Sequence, residues 1–207
     1  MEYGEALAPV NTLMYGPGSL NGIAQRGSMA DQLSAQDWVD LGLKTLAKSG
    51  FTALKAEPLA KAMGVSRGSF YWHFTDIGAY HAAVLERWRE VATEQIIAGV
   101  ERAKGADEDP LAVLLKLTFG SRHVLERAVR SWAANDARAR AAVVAVDRRR
   151  LDYIESLLTQ AGLAGDVARA RAQILFWAFF GFALADQQLP PDRQQAVLDE
   201  LLRIVAR

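Results

Sequence analysis

The run Gly64–Phe74, reading GVSRGSFYWHF, constrains the fold of this chain more than any other stretch. Just upstream, Leu59-Ala60-Lys61-Ala62-Met63 reads as one short helix. Gly64 can take the left-handed conformation that ends such a helix. Val65 is apolar and plugs the corner. Ser66 can cap the next helix by accepting from an early free N–H. Together these make a helix-turn-helix, a geometry that presents its second helix to the major groove of a duplex. Ala60 is small enough for the two helices to approach closely. Phe70 and Phe74 lie four apart and face the core. Arg67, Gly68, Ser69, Tyr71, Trp72 and His73 are left for the outer face. That mix suits phosphates and bases better than plain solvent.

On these residues, the segment from about Ser34 to Ala83 resembles the DNA-binding domain of TetR-like (TetR/AcrR) transcriptional regulators. Gly-Val-Ser-x-Gly-Ser-Phe-Tyr-x-His-Phe is nearly the whole signature of that family. The rest of the chain resembles it only in architecture, an all-helical and sequence-variable regulatory domain. The resemblance implies that Tyr71 and His73, with Ser69, hold backbone phosphates. It makes Arg67 the candidate for a guanine, gripped bidentately. Gly68 would let the backbone come close, and Trp72 would touch a thymine methyl or sugar. The alternative is that Tyr71, Trp72 and His73 pack their helix onto the next one. Ser66 and Lys55 belong to the same expected surface. Lys55 stands where many relatives carry a capping Thr or Ser. It cannot cap, yet it can meet phosphate as a charge. Pro58 stands where an acidic residue is usual. Thr75-Asp76-Ile77-Gly78 replaces a stretch that usually holds a lysine. A lost lysine removes about one released counterion from the salt dependence. Modest affinity per subunit, and reliance on a dimer, follow.

Composition sets the bounds. The chain has 207 residues, 51% of them apolar, enough for one large or two small cores. Its formal net charge is zero, so DNA binding must rest on local placement. From Ser34 to Asp76 there are five Lys or Arg against four Asp or Glu. With no cysteine, disulfides and thiolate metal sites are excluded, which fits a cytoplasmic protein. The strongly apolar run Ile174–Ala185 is shorter than the roughly twenty residues a membrane span needs. No membrane partner is expected. Residues 1–28 show no signal-peptide pattern and read as an arm, with Arg26 its one basic residue and Met29 a possible start.

The pattern predicts an all-α chain of about nine helices. Residues 29–83 form the helix-turn-helix domain, and 84–207 a ligand-binding and dimerisation domain. Ser34-Ala35-Gln36-Asp37 is a capping box. It opens a helix whose apolar face is Trp38, Leu41, Leu43, Leu46 and Ala47, and which Gly50 ends. Two short helices follow, roughly 57–63 and 66–73. A longer one runs from Asp76 to about Ala103, with Ile77, Tyr80, Val84, Trp88 and Val91 at helical spacing. At about 1.5 Å per residue such a helix spans about 40 Å and can carry movement between domains. After a break at 105–109, helices are expected over about 110–119, 122–133, 136–160 and 167–186. A last one follows Pro190-Pro191.

In the C-terminal part, Trp88, Phe119, His123, Trp132, Tyr153, Phe176 and Trp177 either fill the core or line an apolar cavity, the usual small-ligand site. The helix over 167–186 is apolar all round and must be buried on more than one side. With the stripe Val197, Leu198, Leu201, Leu202 and Val205 it would build a four-helix dimer interface, where this family dimerises. Phe179 and Phe182 are its expected contacts. The arginines 138, 140, 148, 149 and 150 form a solvated face paired with Asp136, Asp147, Asp152 and Glu155, or send one guanidinium inward to an anionic ligand. His73, His81 and His123 are scattered and no nucleophile accompanies them, so no catalytic site, metal or cofactor is expected.

These readings imply a homodimeric repressor on a palindromic operator, released by a small hydrophobic effector. Two alternatives remain open. One is a DNA-binding regulator without an inducer. The other is a helical dimer that has lost DNA binding.

Overall fold

A computed structural model describes residues 33–104, 108–120, 123–185 and 189–206. The expected arm over 1–28, with Arg26, and Met29 lie outside the described residues, as do Gly105, Arg122 and Asp186. Among the described residues there are ten α-helices and no strand. They are α1 (Ala35–Ser49), α2 (Ala56–Met63), α3 (Arg67–His73), α4 (Ile77–Arg89), α5 (Gln95–Lys104), α6 (Pro110–Phe119), α7 (Val124–Ala133), α8 (Ala137–Gln160), α9 (Gly165–Leu184) and α10 (Pro191–Ala206). A five-residue π-turn, Glu90–Glu94, joins α4 to α5. Counted as one helix with that turn, α4 and α5 match the single long helix expected from the sequence, and the total is nine.

The described residues fall into two compact units. The first holds 33–92 together with 124–146. Its first helix starts at a capping box. Ser34 Oγ accepts from the Asp37 N–H at 3.2 Å, and Asp37 Oδ2 accepts from the Ser34 N–H at 2.8 Å. The buried face of α1 is Trp38, Val39, Gly42, Leu43 and Leu46. Leu41 and Ala47, expected there, are only half-buried. The shift comes from Tyr80, which crosses α1 at Gly42 and donates its hydroxyl to the Trp38 carbonyl at 2.9 Å. Burial pushes the Tyr80 hydroxyl well above its ordinary pKa, so it stays a donor. Trp38, Phe70, Phe74 and Tyr80 meet edge-on or tilted with centroids 5.0–5.4 Å apart, an arrangement aromatic quadrupoles favour.

In the same unit α7 packs on α1. Trp132 stacks on Phe51 with centroids 4.4 Å apart, and the His81 ring meets Trp132 edge-on at 5.5 Å. His81 Nε2 lies 2.9 Å from the Leu54 carbonyl. A carbonyl only accepts, so that nitrogen carries the proton. Asp136 caps α8 through the Ala139 N–H at 2.8 Å.

The second unit comprises the described residues of 93–123 and 147–206. Its core is built from Val100, Leu114, Leu115, Phe119, Leu158, Leu175, Phe179, Leu198 and Val205, among others. Asp109 caps α6 by accepting from the Leu111 N–H at 3.0 Å. Gly162, with φ 95°, ends α8, and the Leu163 N–H returns to the Leu158 carbonyl at 3.2 Å. Among the described residues α9 alone is long and apolar enough to cross a membrane by length and composition. It buries Ala168, Ala172, Leu175, Phe179 and Ala183 in this core, and Phe176 is buried as well. It is not enclosed all round, since Val167, Ile174, Trp177 and Leu184 are exposed.

Candidate nucleic-acid interface

Two helices and a tight turn place α3. Gly64 takes φ 70°, ψ 24°, the left-handed region glycine enters without strain. The Gly64 N–H bonds the Lys61 carbonyl at 3.2 Å and the Val65 N–H the Ala60 carbonyl at 3.0 Å. That pair is a Schellman closure. Val65 is half-buried at the corner. Ser66 holds the cap position of α3, but its side chain makes no capping bond. Its carbonyl accepts the Ser69 N–H at 3.0 Å instead. Lys55, at the cap position of α2, makes no side-chain cap either, as its chemistry dictates.

Phe70 and Phe74 point inward, fully as the spacing predicts. Trp72 is 89% exposed and Tyr71 45%. Arg67 and Gly68 are also exposed, and His73 is half-buried. Arg67 lies along this face, Nη2 donating to the Tyr71 hydroxyl at 3.4 Å and the guanidinium 5.6 Å from the Tyr71 ring centre. Ser69 differs from its neighbours. It is buried, since its position on α3 turns it toward the core. A Cβ on Gly68 would meet nothing nearer than Ser66 Oγ at 3.5 Å, an ordinary contact. Nothing among the described residues therefore requires glycine at 68. The result is an open face with a cation lying beside an aromatic ring, a second exposed ring and bare backbone.

The family model of bacterial regulatory proteins, tetR family, matches residues 39–79, from within α1 to the start of α4. Over these residues the chain is TetR-like. The matched stretch is this helix-turn-helix with its flanking helices. The HTH-type transcriptional regulator AcrR of Shigella flexneri is 29% identical over 107 residues, which is 52% of this chain and 47% of that protein. The chain thus matches about half the length of this curated relative. Two solved structures share the fold. One is a Rhodococcus sp. protein assigned to the TetR-family transcriptional regulators. It has a TM-score of 0.63 at 16% identity, with 84% of this chain and 98% of that one covered. The other is NalD, the secondary repressor of the MexAB-OprM multidrug efflux pump in Pseudomonas aeruginosa. It has a TM-score of 0.53 at 18% identity, with 85% and 96% covered.

The other expected site residues fall in both units. Trp88 and Trp132 are buried in the first unit, and Trp132 is held by the Phe51 stack. Phe119, His123, Tyr153 and Phe176 belong to the second. There the His123 ring meets Phe179 at 5.0 Å and Phe182 at 5.6 Å, and Phe119 meets Phe182 at 5.2 Å. Tyr153 donates its hydroxyl to Glu101 at 2.7 Å. Trp177, expected inside, is 65% exposed. Its position on α9 falls opposite the buried face. Phe179, expected at a subunit interface, is 9% exposed within its own chain, and Val205 is fully buried. Phe182, Leu201 and Leu202 are half-buried, and Val197 is exposed. The arginine cluster divides too. Arg149 pairs with Glu94 at 3.4 Å on the surface. Arg150 turns inward, 3.8 Å from Asp147, with its guanidinium 5.1 Å from the Phe179 ring centre.

Proposed function

We propose that the chain is a sequence-specific DNA-binding transcriptional regulator, a cytoplasmic homodimeric repressor that a small apolar effector releases from a palindromic operator. The outward face of α3 carries this reading. A tryptophan 89% exposed beside an exposed tyrosine is costly to leave in water. In this reading Arg67 contacts a base, while Tyr71, His73, Ser66 and Lys55 hold phosphates and Trp72 packs on a sugar or thymine methyl. Buried Ser69 contributes through position rather than by direct contact. The DNA-binding part is residues 29–83, and α7 belongs to the same compact unit as its described residues.

For the dimer, the reading moves from Phe179 to the outward stripe of α9. Val167, Ile174, Trp177, Gly181 and Leu184 recur at spacings of seven, three, four and three and are exposed, the pattern of a helix seam that wants a partner. A Cβ on Gly181 would meet nothing within 4 Å, so a facing helix could approach closely there. Val197 and Ile204 are exposed on α10. For the effector, the aromatic cluster around His123, Phe119, Phe179 and Phe182, with Phe176, supports a hydrophobic or aromatic compound. Inward Arg150 adds the option of an anionic group. An effector acts only by binding the released form better than the DNA-competent one.

The test is retention of labelled duplex pools by the wild type, Arg67→Ala and Tyr71→Ala. We expect retention by the wild type and loss in both variants with melting temperatures unchanged. Equal retention by all three would contradict the assignment of α3 to DNA.

A further inference from the structure

We propose that Arg138, carried on α8, is a phosphate-contacting residue of the DNA interface, supplied from outside the helix-turn-helix. The proposal rests on the DNA-binding reading above and deepens it. From Gly68 to Glu86 the sequence contains no Lys or Arg. The corner between α3 and α4 presents Thr75 and Asp76, both exposed. Asp76 caps α4 by accepting from the Ala79 N–H at 2.8 Å. Left alone, that carboxylate would repel a duplex docking on α3. Gly78 follows on the first turn of α4. A Cβ there would lie 2.9 Å from Arg138 Nη1 and 3.0 Å from Asp76 Oδ1. The guanidinium thus occupies the space that a side chain at 78 would fill, beside the capping carboxylate and five residues past the end of α3.

Glycine at 78 leaves this space open, whereas a Cβ would displace Nη1, the mobile end of a long side chain. The arginine brings a positive charge to the neighbourhood of Asp76, where α3 gives way to α4. Arg138 also faces Asp136, which caps its own helix. Arg138 is exposed, and a guanidinium offers several donors at once to phosphate oxygens. The segment from Ser34 to Asp76 has only one more basic than acidic residue. One extra cation is therefore a large share of its attraction for DNA.

Arg140 provides a charge-matched control. It is exposed, and its Nη2 donates to the Ala134 carbonyl at 3.0 Å. The experiment measures binding of the full chain to a fluorescent random-sequence duplex over a salt series, for wild type, R138Q, R138K and R140Q, with circular dichroism confirming the fold. Each phosphate contact contributes about 0.9 to the slope of log affinity against log salt. We expect R138Q to lose about that much per subunit, and R138K and R140Q to keep the wild-type slope. A wild-type slope in R138Q, or an equal loss in R140Q, would overturn the proposal and leave the DNA-binding reading standing. Absence of duplex binding by the wild type would overturn both.

Discussion

At the scale of single residues, two glycines carry opposite meanings although the sequence writes them alike. A Cβ on Gly42 would collide with Tyr80 Oη and lie 2.8 Å from Val84 Cγ2. Gly42→Ala should therefore displace Tyr80 from the Trp38 carbonyl. Overpacking of this kind costs about 1–3 kcal/mol, and the lost hydrogen bond adds about 1 kcal/mol. A urea titration should show a lower midpoint with an unchanged slope. Gly68→Ala should do the reverse. Its Cβ has room, and alanine favours a helix over glycine by about 0.8–1.0 kcal/mol, so the fold should hold or gain while duplex binding falls. Unchanged binding in that variant would remove the functional reason for glycine at 68. The inward Phe70 and Phe74 were legible from spacing alone. The burial of Gly42 was not, because it depends on Tyr80, 38 positions away in sequence.

At the scale of elements, local chemistry was the most readable. The capping box at Ser34, the left-handed Gly64 and the cap at Asp76 each stand where their residue types demand. Replacing the Ser34 cap with alanine should cost about 1 kcal/mol at neutral pH. The Ser34 bonds hold the Asp37 carboxyl below its usual 3.8. That contribution is complete above the usual value and is lost as pH falls through the lowered one. The stability gap between wild type and Ser34→Ala should then narrow on acidification, which thermal melts at descending pH can follow. A gap that stayed constant would contradict the role of the Asp37 carboxylate. The cap expected from the Ser66 side chain did not form, as the turn satisfies α3 through a backbone bond. Nor did the sequence reveal the π-turn between α4 and α5, since helical periodicity runs through it. The assignment of α7 to the unit of α1 was equally hidden. It depends on Trp132 finding Phe51, a pairing no local pattern encodes.

At the scale of the whole molecule, the all-helical class and the matched helix-turn-helix were legible because both are written in short-range pattern. The division of aromatic residues between core and surface was not. α9 is so rich in apolar residues that its two faces look alike in sequence, and only packing shows that Phe179 turns inward while Trp177 turns out. The dimer proposal now rests on that outward stripe. Trp177→Glu should shift sedimentation from dimer to monomer while the helical spectrum persists. Gly181→Ala should weaken association without lowering the stability of the subunit. A dimer unaffected by both would move the interface elsewhere. The central claim is that α3, doubled by two-fold symmetry, reads DNA sequence. Selection of bound duplexes from a random library by the purified chain tests it most directly. The account predicts enrichment of one palindromic motif, lost in Arg67→Ala. A folded, dimeric protein that enriches no motif, or enriches the same one without Arg67, would contradict it.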